Sequence, residues 1–298
     1  MNENKRIKIR NGPACKSEGR FFICQRMKKI AIQGERGSFH DIAAHQYFDG
    51  EAFELLCCKT FEQVFEHIQH DSSVIGLVAI ENTIAGSLLY NYELLRSSGA
   101  VVIGEQKLHI KHALCCLASE DWSDIHEVHS HPVALAQCRN FLAMHSELKA
   151  VVAEDTAGSA AYIAHHAKHG WAAICSSYAA ELYGMKVLQE DIHDNKHNFT
   201  RFLVLSNASQ ASLLRSEEKI DKASLVFSLP DEEGSLSKIL TILSFYGINL
   251  TKIQSLPIIG REWEYMFYVD IVFSNPMRYR QSIDAITPLV KNIKILGE

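Results

Sequence analysis

The sequence predicts an α/β protein, with an open-sheet domain over residues 27–207 followed by a ferredoxin-like unit over residues 222–298. In the first part, short apolar strands alternate with helical patterns, an order typical of open and largely parallel sheets. In the second part the order becomes strand, helix, strand, strand, helix, strand, which is that of a βαββαβ unit. The stretch between them, 208–221, is polar and charged and is predicted to be a linker.

Local signals predict the elements of the first part. Residues 30–33 form a short apolar strand, and a helix begins near Phe39. Thr60, with Gln63 three residues later, predicts a capping box at the start of the next helix. The nearly unbroken apolar run 74–80 is typical of a strand buried on both faces. Further strands are predicted at 100–103, 113–117, 172–174 and 202–205, and further helices at 132–142, at 157–168 and from Ser176 or Ser177.

The second part is regular enough for each element to be placed. Its strands are predicted at 223–229, 250–256, 264–273 and 293–296, and its helices at 236–245 and about 278–286.

The composition excludes several classes of protein. The chain has 298 residues, of which 47% are hydrophobic and 22% charged, so it can bury a core and is not disordered. The net charge of −5 gives no reason to expect nucleic-acid binding. No apolar run approaches the ~20 residues of a membrane span.

Residues 1–26 differ from the rest because they carry seven basic and two acidic side chains. Their only apolar stretch is too short for a secretory signal, so a cytoplasmic location is predicted. We interpret this segment as a flexible extension or as translation from an upstream start codon. A basic tail that binds a partner is the alternative.

Four polar clusters follow strands or precede helices, where ligands bind in open α/β sheets. They are residues 81–87, 129–132, 155–159 and 198–202. Helix starts with small residues expose N–H groups that suit carboxylates or phosphates. Together the clusters predict an anion-binding cleft, although each one taken singly is also explained as a cap or a turn.

Other chemistries find little support. None of the eight cysteines forms a Cys-x-x-Cys pair, so structural zinc is not expected, and the two adjacent pairs are interpreted as buried hydrophobes. His165 and His169 have the spacing of metal ligands on a helix but lack an evident third ligand. The sequence contains no phosphate-binding loop and no Gly-x-Ser-x-Gly elbow. No metal and no cofactor are predicted.

From Met27 to Glu298 the chain resembles the monofunctional bacterial prephenate dehydratases that end in an ACT domain. The specific matches are Asn198-Phe199-Thr200-Arg201-Phe202 and the segment Gly247 to Ile253. Supporting matches are Glu81-Asn82-Thr83, Ser130-His131-Pro132, Asp155-Thr156-Ala157 and Tyr183-Gly184. The resemblance implies a two-lobed, periplasmic-binding-protein-like catalytic domain that turns prephenate into phenylpyruvate without a cofactor, in homodimers or homotetramers.

The resemblance also implies roles for individual residues. The candidate catalytic residues are Thr200, Arg201 and Phe202, and Thr200 is the one expected to assist departure of the substrate hydroxyl. Arg201 is expected either to pair with a carboxylate or to form a structural salt bridge. Candidate substrate-binding residues are Ser38, Asn82, Thr83, Gly86, Ser87, Ser130, His131, Thr156, Ala157 and Asn198. His40 departs from the family loop, and its role is left open.

The C-terminal unit resembles an ACT domain that binds phenylalanine as an effector. Its candidate regulatory residues are Gly234, Ser235, Leu236, Asn249, Leu250, Gln254 and Leu256. The family's Glu-Ser-Arg-Pro motif reads Gln254-Ser255-Leu256-Pro257 here, so two charges are missing and tight inhibition is in doubt.

Two alternatives remain open. In the first, the substrate is arogenate, which differs from prephenate by one amine that the sequence does not reveal. In the second, the chain is a non-catalytic sensor of an aromatic amino acid.

Overall fold

The computed structural model describes residues 27–214, 220–258, 260–261 and 264–298, and it divides them into two lobes and a C-terminal unit. The first lobe holds β1 (Lys28–Gln33), α1 (Phe39–Tyr47), β2 (Phe53–Cys58), α2 (Phe61–His70), β3 (Val74–Asn82), β4 (Gly86–Ser87), α3 (Leu89–Ser98) and β5 (Ala100–His109). The second lobe holds β6 (Ala113–Leu117), β7 (Glu127–Ser130), α4 (Pro132–Gln137), α5 (Arg139–Met144), β8 (Lys149–Val152), α6 (Thr156–His165), β9 (Trp171–Cys175), α7 (Ser177–Leu182) and β10 (Met185–Gln189). The chain returns to the first lobe through β11 (Phe199–Asn207) and α8 (Ala208–Leu214). The C-terminal unit holds β12 (Lys222–Ser228), α9 (Ser235–Phe245), β13 (Asn249–Pro257), β14 (Tyr265–Val272), α10 (Pro276–Ile286) and β15 (Lys291–Gly297), in the predicted βαββαβ order.

Both lobe sheets are mixed, so the prediction of largely parallel sheets is wrong. In the first lobe the order is β5-β11-β3-β1-β2, and β11 runs antiparallel to both of its neighbours. In the second lobe the order is β10-β6-β9-β7-β8, and β6 runs antiparallel to β10 and β9. The chain leaves the first lobe after β5 and comes back as β11. Strands β6 and β11, which follow the two crossings, therefore run opposite to their neighbours.

Two adjacent segments, 110–112 and 190–198, connect the lobes. They are bonded to each other, since the Ile110 N–H donates to the Asn198 carbonyl at 2.7 Å and the Ile192 N–H donates to the His112 carbonyl at 3.0 Å. This double crossing is the two-lobed arrangement that the resemblance implies, and it places residue 198 at the junction of the lobes.

The C-terminal unit packs directly against the first lobe. Val226, Tyr268 and Leu296 share one buried cluster with residues of β3 and α3. The sheets of the two parts also meet edge to edge, where Gly297 of β15 pairs with Val102 of β5. We call this contact between first lobe and C-terminal unit the seam.

Several local predictions need correction. The predicted linker 208–221 begins with α8, whose Ala211 is buried against the first lobe. The predicted helix 132–142 is divided at Cys138 into α4 and α5. Strands β2, β4, β7, β8 and β10 and helix α3 were not predicted. Cys57, expected to be buried, is exposed on the edge strand β2. Residues 1–26 lie outside the described part of the chain. Within the described ranges, no helix has the length and apolar character needed to cross a bilayer.

Candidate active site

A β-bulge in β3 determines which way the residues of the candidate site point. Arg201 pairs with Glu81, but Phe202 pairs with Ala79, so Ile80 is an extra residue in β3. Strict alternation would put Asn82 on the face of Ile80, which packs toward the C-terminal unit. The extra residue turns Asn82 to the opposite face, beside Thr200.

His40 stabilises this bulge. Its Nε2 accepts the Ala79 N–H at 3.3 Å, and its ring packs edge-on against Phe202 at 4.9 Å. Burial lowers the pKa of His40 to about 3, so the ring stays neutral and able to accept. Phe202, predicted as catalytic, is instead a core residue with 1% exposure. No sequence signal linked residue 40 to a bulge some forty positions away.

The Asn82 side chain is fully occupied by the protein. Its Oδ1 accepts the N–H groups of Ile84 and Ala85 at 2.9 and 2.8 Å, which closes the turn after β3. Its Nδ2 donates to Asn198 Oδ1 at 2.8 Å and to Thr200 Oγ1 at 2.9 Å. Asn82 was predicted to bind substrate; in the structure its amide group is engaged within the protein and contacts Thr200.

The Thr200 hydroxyl is the polar group in this region that keeps its proton available. The residue is 9% exposed and accepts from Asn82, and among the described residues nothing accepts its hydroxyl proton. The neighbouring Thr83 differs, since it donates to the His197 carbonyl and accepts the Phe199 N–H, each at 2.9 Å. Thr83 therefore fastens β3 to the segment before Thr200.

A buried chain of hydrogen bonds extends from this pair into the second lobe. Asn198, which is fully buried, donates from Nδ2 to Gln137 Oε1 at 2.9 Å. The same oxygen lies 2.9 Å from His112 Nε2, which is therefore the protonated ring nitrogen. Neither Gln137 nor His112 was singled out by the sequence analysis. The pattern of α4 does not distinguish a buried glutamine that faces the other lobe from an exposed one.

The buried histidine makes the stability of the protein depend on pH. His112 is 2% exposed, and burial lowers its pKa to about 4. In the unfolded chain the His112 ring takes up a proton near pH 6.5, whereas in the folded chain it does so only near pH 4. The free energy of unfolding therefore decreases as the pH falls from about 6.5 to about 4. Between pH 7 and pH 5 we expect wild type to lose about 2 kcal/mol more unfolding free energy than His112→Asn. Urea titrations of both proteins at the two pH values measure this; parallel losses would contradict it.

Arg201 points away from the cleft, which decides between its two predicted roles in favour of the structural salt bridge. Its guanidinium binds Glu105 at 2.8 Å and Asp270 of the C-terminal unit at 2.5 Å. Burial alone would lower the pKa of Arg201, but these two carboxylates raise it above its ordinary value. Successive strand residues face opposite sides, so Thr200 and Arg201 cannot both face the substrate.

The remaining predicted residues divide between helix starts and buried positions. Ser38, Asp155 and His131 cap α1, α6 and α4 by accepting backbone N–H groups. Thr156 begins α6 and is half-buried. Ser130 and Ala157 are fully buried, and the Ser130 hydroxyl donates to the Ile174 carbonyl. Gly86 is exposed at the turn, whereas Ser87 accepts from Lys252 of the C-terminal unit.

The loop 34–38 joins the two lobes across the cleft. Ser176 donates to the Gly37 carbonyl at 3.0 Å, and the Tyr183 hydroxyl donates to the Arg36 carbonyl at 2.7 Å. Gly37 has φ +85°, and a β-carbon there would lie 3.0 Å from the Cα of Ala179. This close approach requires glycine at position 37. Tyr183, which belongs to the Tyr183-Gly184 match, holds the same loop through its hydrogen bond to Arg36.

We expect Gly37→Ala to force the lobes apart as well as to strain the backbone. The control is Gly50→Ala, because Gly50 has φ +77° but nothing within 4 Å of its β-carbon position. Each substitution should cost about 1–3 kcal/mol of stability from the positive φ alone. Only Gly37→Ala should also lower kcat/KM, by about tenfold or more, because it displaces site residues. Thermal melts and turnover measure the two effects, and equal kcat/KM values would contradict the interlobe role.

The predicted regulatory residues lie at the start of α9 and along β13. Gly234 precedes α9 with φ +76° and provides no side-chain cap. Asn249, Leu250, Gln254 and Leu256 lie on β13, the edge strand of the C-terminal sheet. Ser235 and Leu236 begin α9, and Leu236 packs on the core of the unit. Gly234, Ser235 and Leu236 therefore lie at the start of α9, and the other four lie along β13, whose Leu256 also packs against the buried cluster of the seam.

Comparison with known proteins gives one consistent match. The family model described as prephenate dehydratase matches residues 30–210. Arogenate dehydratase 2 of Petunia hybrida is 33% identical over 284 residues, which covers 90% of this chain and 71% of the petunia protein. The prephenate dehydratase of Lactococcus lactis subsp. lactis is 32% identical over 275 residues, covering 90% and 96% of the two chains.

Solved structures agree with this match in fold. The prephenate dehydratase of Arthrobacter aurescens, solved in complex with L-Phe, is 25% identical with a TM-score of 0.79, covering 90% of this chain and 89% of that one. A protein described as a novel type of quorum quenching acylase, GqqA, is 28% identical with a TM-score of 0.79, covering 91% and 97%.

Proposed function

The chain belongs to the prephenate dehydratase family, and we propose that it catalyses the decarboxylative dehydration of prephenate to phenylpyruvate, in the biosynthesis of phenylalanine. The activity is that of a carbon–oxygen lyase. One observation carries the proposal: Thr200 accepts from Asn82 Nδ2 and so keeps its own proton for a ligand in the cleft.

The reaction needs one proton and a good leaving group. The bond from the ring to its carboxylate breaks and releases carbon dioxide, and its electron pair moves into the ring. The ring becomes aromatic as the C–O bond breaks. The hydroxyl takes up one proton and leaves as water, and solvent finally supplies the proton that is consumed. Thr200 polarises that hydroxyl by donating a hydrogen bond, and Asn82 stabilises the charge that develops on Oγ1.

The substrate carboxylates are proposed to bind on the second lobe. Thr156 at the start of α6 and His131 before the start of α4 lie there, and helix starts suit anions. Asp155 already accepts the Gly158 N–H, and burial raises the pKa of its carboxyl.

Ultraviolet detection of phenylpyruvate from prephenate and purified full-length protein tests the proposal. Turnover that depends on Thr200 supports it, and a complete absence of product overturns it. Relatives with both dehydratase names match this chain, so prephenate and arogenate are compared side by side at equal concentrations. A higher kcat/KM with arogenate identifies that as the substrate. Binding of phenylalanine without turnover of either compound identifies the sensor alternative.

We also propose that L-phenylalanine modulates the enzyme at the C-terminal unit. The Arthrobacter relative was solved in complex with L-Phe. The two missing charges in residues 254–257 lead us to expect weak inhibition, measured as turnover against phenylalanine concentration. Homodimers or homotetramers are proposed because the edge strand β13 leaves backbone groups open to pairing, and light scattering gives the mass. A cytoplasmic location is proposed from the several unpaired buried cysteines.

A further inference from the structure

The residues next to the Thr200–Asn82 pair are held by the C-terminal unit. On the β11–β3 ladder Thr200 pairs with Asn82, and the next pair is Arg201 with Glu81. The first pair lies at the junction of the two lobes, beside Asn198, and the second faces the seam. One residue step, about 3.3 Å along the strand, separates the two pairs.

Each member of the second pair has its own partner of opposite charge in the C-terminal unit. Arg201 binds Asp270 of β14 at 2.5 Å, and these side chains are only 12% and 11% exposed. Glu81 binds Lys252 of β13 at 2.9 Å, and the Lys252 side chain is 11% exposed. Lys252 also donates to Ser87 Oγ at 2.9 Å, beyond the turn that Asn82 closes.

The Asp270 carboxylate is itself fixed within the C-terminal unit. Its second oxygen accepts the Ser224 hydroxyl at 2.6 Å, on the neighbouring strand β12. The rest of the seam around it is less tightly filled. A small cavity there is lined by Tyr92, Arg201 and Asp270, and the buried Tyr92 hydroxyl finds no partner among the described residues. Near β3 and β11 the seam therefore contains directional charge pairs beside its apolar cluster.

We propose that Asp270 and Lys252 are positioning residues for the reaction, which set the geometry of the Thr200–Asn82 pair by holding Arg201 and Glu81 from behind. The inference rests on the proposed function, and it assigns to the C-terminal unit a part in forming the active site when no effector is bound. Each strand is held at the residue adjacent to its site residue. A displacement of the C-terminal sheet is then passed on to the Thr200 hydroxyl and to the Asn82 amide that contacts it.

The test uses full-length Asp270→Asn and Lys252→Met, with Lys294→Met as the matched control. Lys294 crosses the same seam and donates to the Arg96 carbonyl at 2.9 Å, and within the described ranges it forms no hydrogen bond or ion pair with a residue of β3 or β11. We expect Asp270→Asn and Lys252→Met to lower kcat by about tenfold or more with KM within about twofold, because a small misplacement of reacting groups is costly. Lys294→Met should lower the melting temperature without lowering kcat. Asp270→Glu and Lys252→Arg should recover most of the lost turnover.

A second measurement is independent of turnover and remains informative if Asp270→Asn folds poorly. Hydrogen–deuterium exchange of peptides covering 79–85 and 199–202 should be faster in Lys252→Met than in wild type and in Lys294→Met. Unchanged kcat in both seam variants, or a kcat loss equal to that of Lys294→Met, would overturn the inference. Equal exchange in all three proteins would also overturn it. Absence of turnover in wild type would count against the proposed function alone.

Discussion

Thr200→Val is expected to lower kcat by about 10²–10³-fold while KM changes little, because the hydroxyl assists the departing group only in the transition state. Valine keeps the β-branched shape of threonine and fits the same strand position, so the fold should persist. Such a loss corresponds to about 3–4 kcal/mol of transition-state stabilisation. Steady-state kinetics with prephenate, together with a thermal melt, give the measurement.

Thr200→Ser serves as the control for this prediction, since it keeps the hydroxyl that accepts from Asn82. It should retain most of the wild-type kcat. A valine variant with near-wild-type turnover would remove Thr200 from the mechanism. A serine variant as inactive as valine would show that the methyl group, and not the hydroxyl, is what matters.

Asn82→Asp should produce a loss of similar size through a different atom. Aspartate keeps the oxygen that accepts the Ile84 and Ala85 N–H groups, so the turn after β3 remains closed. It replaces the Nδ2 donor to Thr200 with an acceptor, and it puts a negative charge beside the place where charge develops. We expect kcat to fall by about 10²-fold or more, the usual cost of losing one such donor.

Asn82→Ala distinguishes positioning from turn closure. Alanine removes both functions, so it should lower the melting temperature and the turnover, whereas aspartate at neutral pH should lower mainly turnover. Kinetics and melts of the two variants side by side provide the comparison. An aspartate variant that loses stability as much as the alanine variant, or one with normal kcat, would mean that Nδ2 does not act on Thr200.

Local signals were a sound guide to the helix starts and to the C-terminal unit. Thr60 was predicted as an N-cap and Ser176 as one of two candidates for a helix start, and each accepts a backbone N–H from its own helix. A cap involves residues within one turn, so its signal lies within four positions of sequence. The βαββαβ order was readable for the same reason, because each element carries its own periodicity.

The sequence predicted which clusters contribute to the candidate site, but it did not predict the contacts that each side chain makes there. Residues 82, 83, 198 and 200 come together as the clusters suggested. Their roles did not follow from sequence, because Asn82, Thr83 and Asn198 are engaged by protein groups. The mixed character of the two sheets could not be predicted either, because the direction of a strand depends on how often the chain crosses between the lobes.

The sequence by itself determined the family, the βαββαβ order of the C-terminal unit and the clusters that contain residues 82, 198 and 200. The tertiary structure decided that Arg201 faces the C-terminal unit, that a bulge held by His40 turns Asn82 toward the cleft, and that Gln137 reaches Asn198 from the other lobe. The physical reason is pairing between distant strands. One extra residue in β3, opposite a strand more than a hundred positions away, reverses the face of every side chain that follows it.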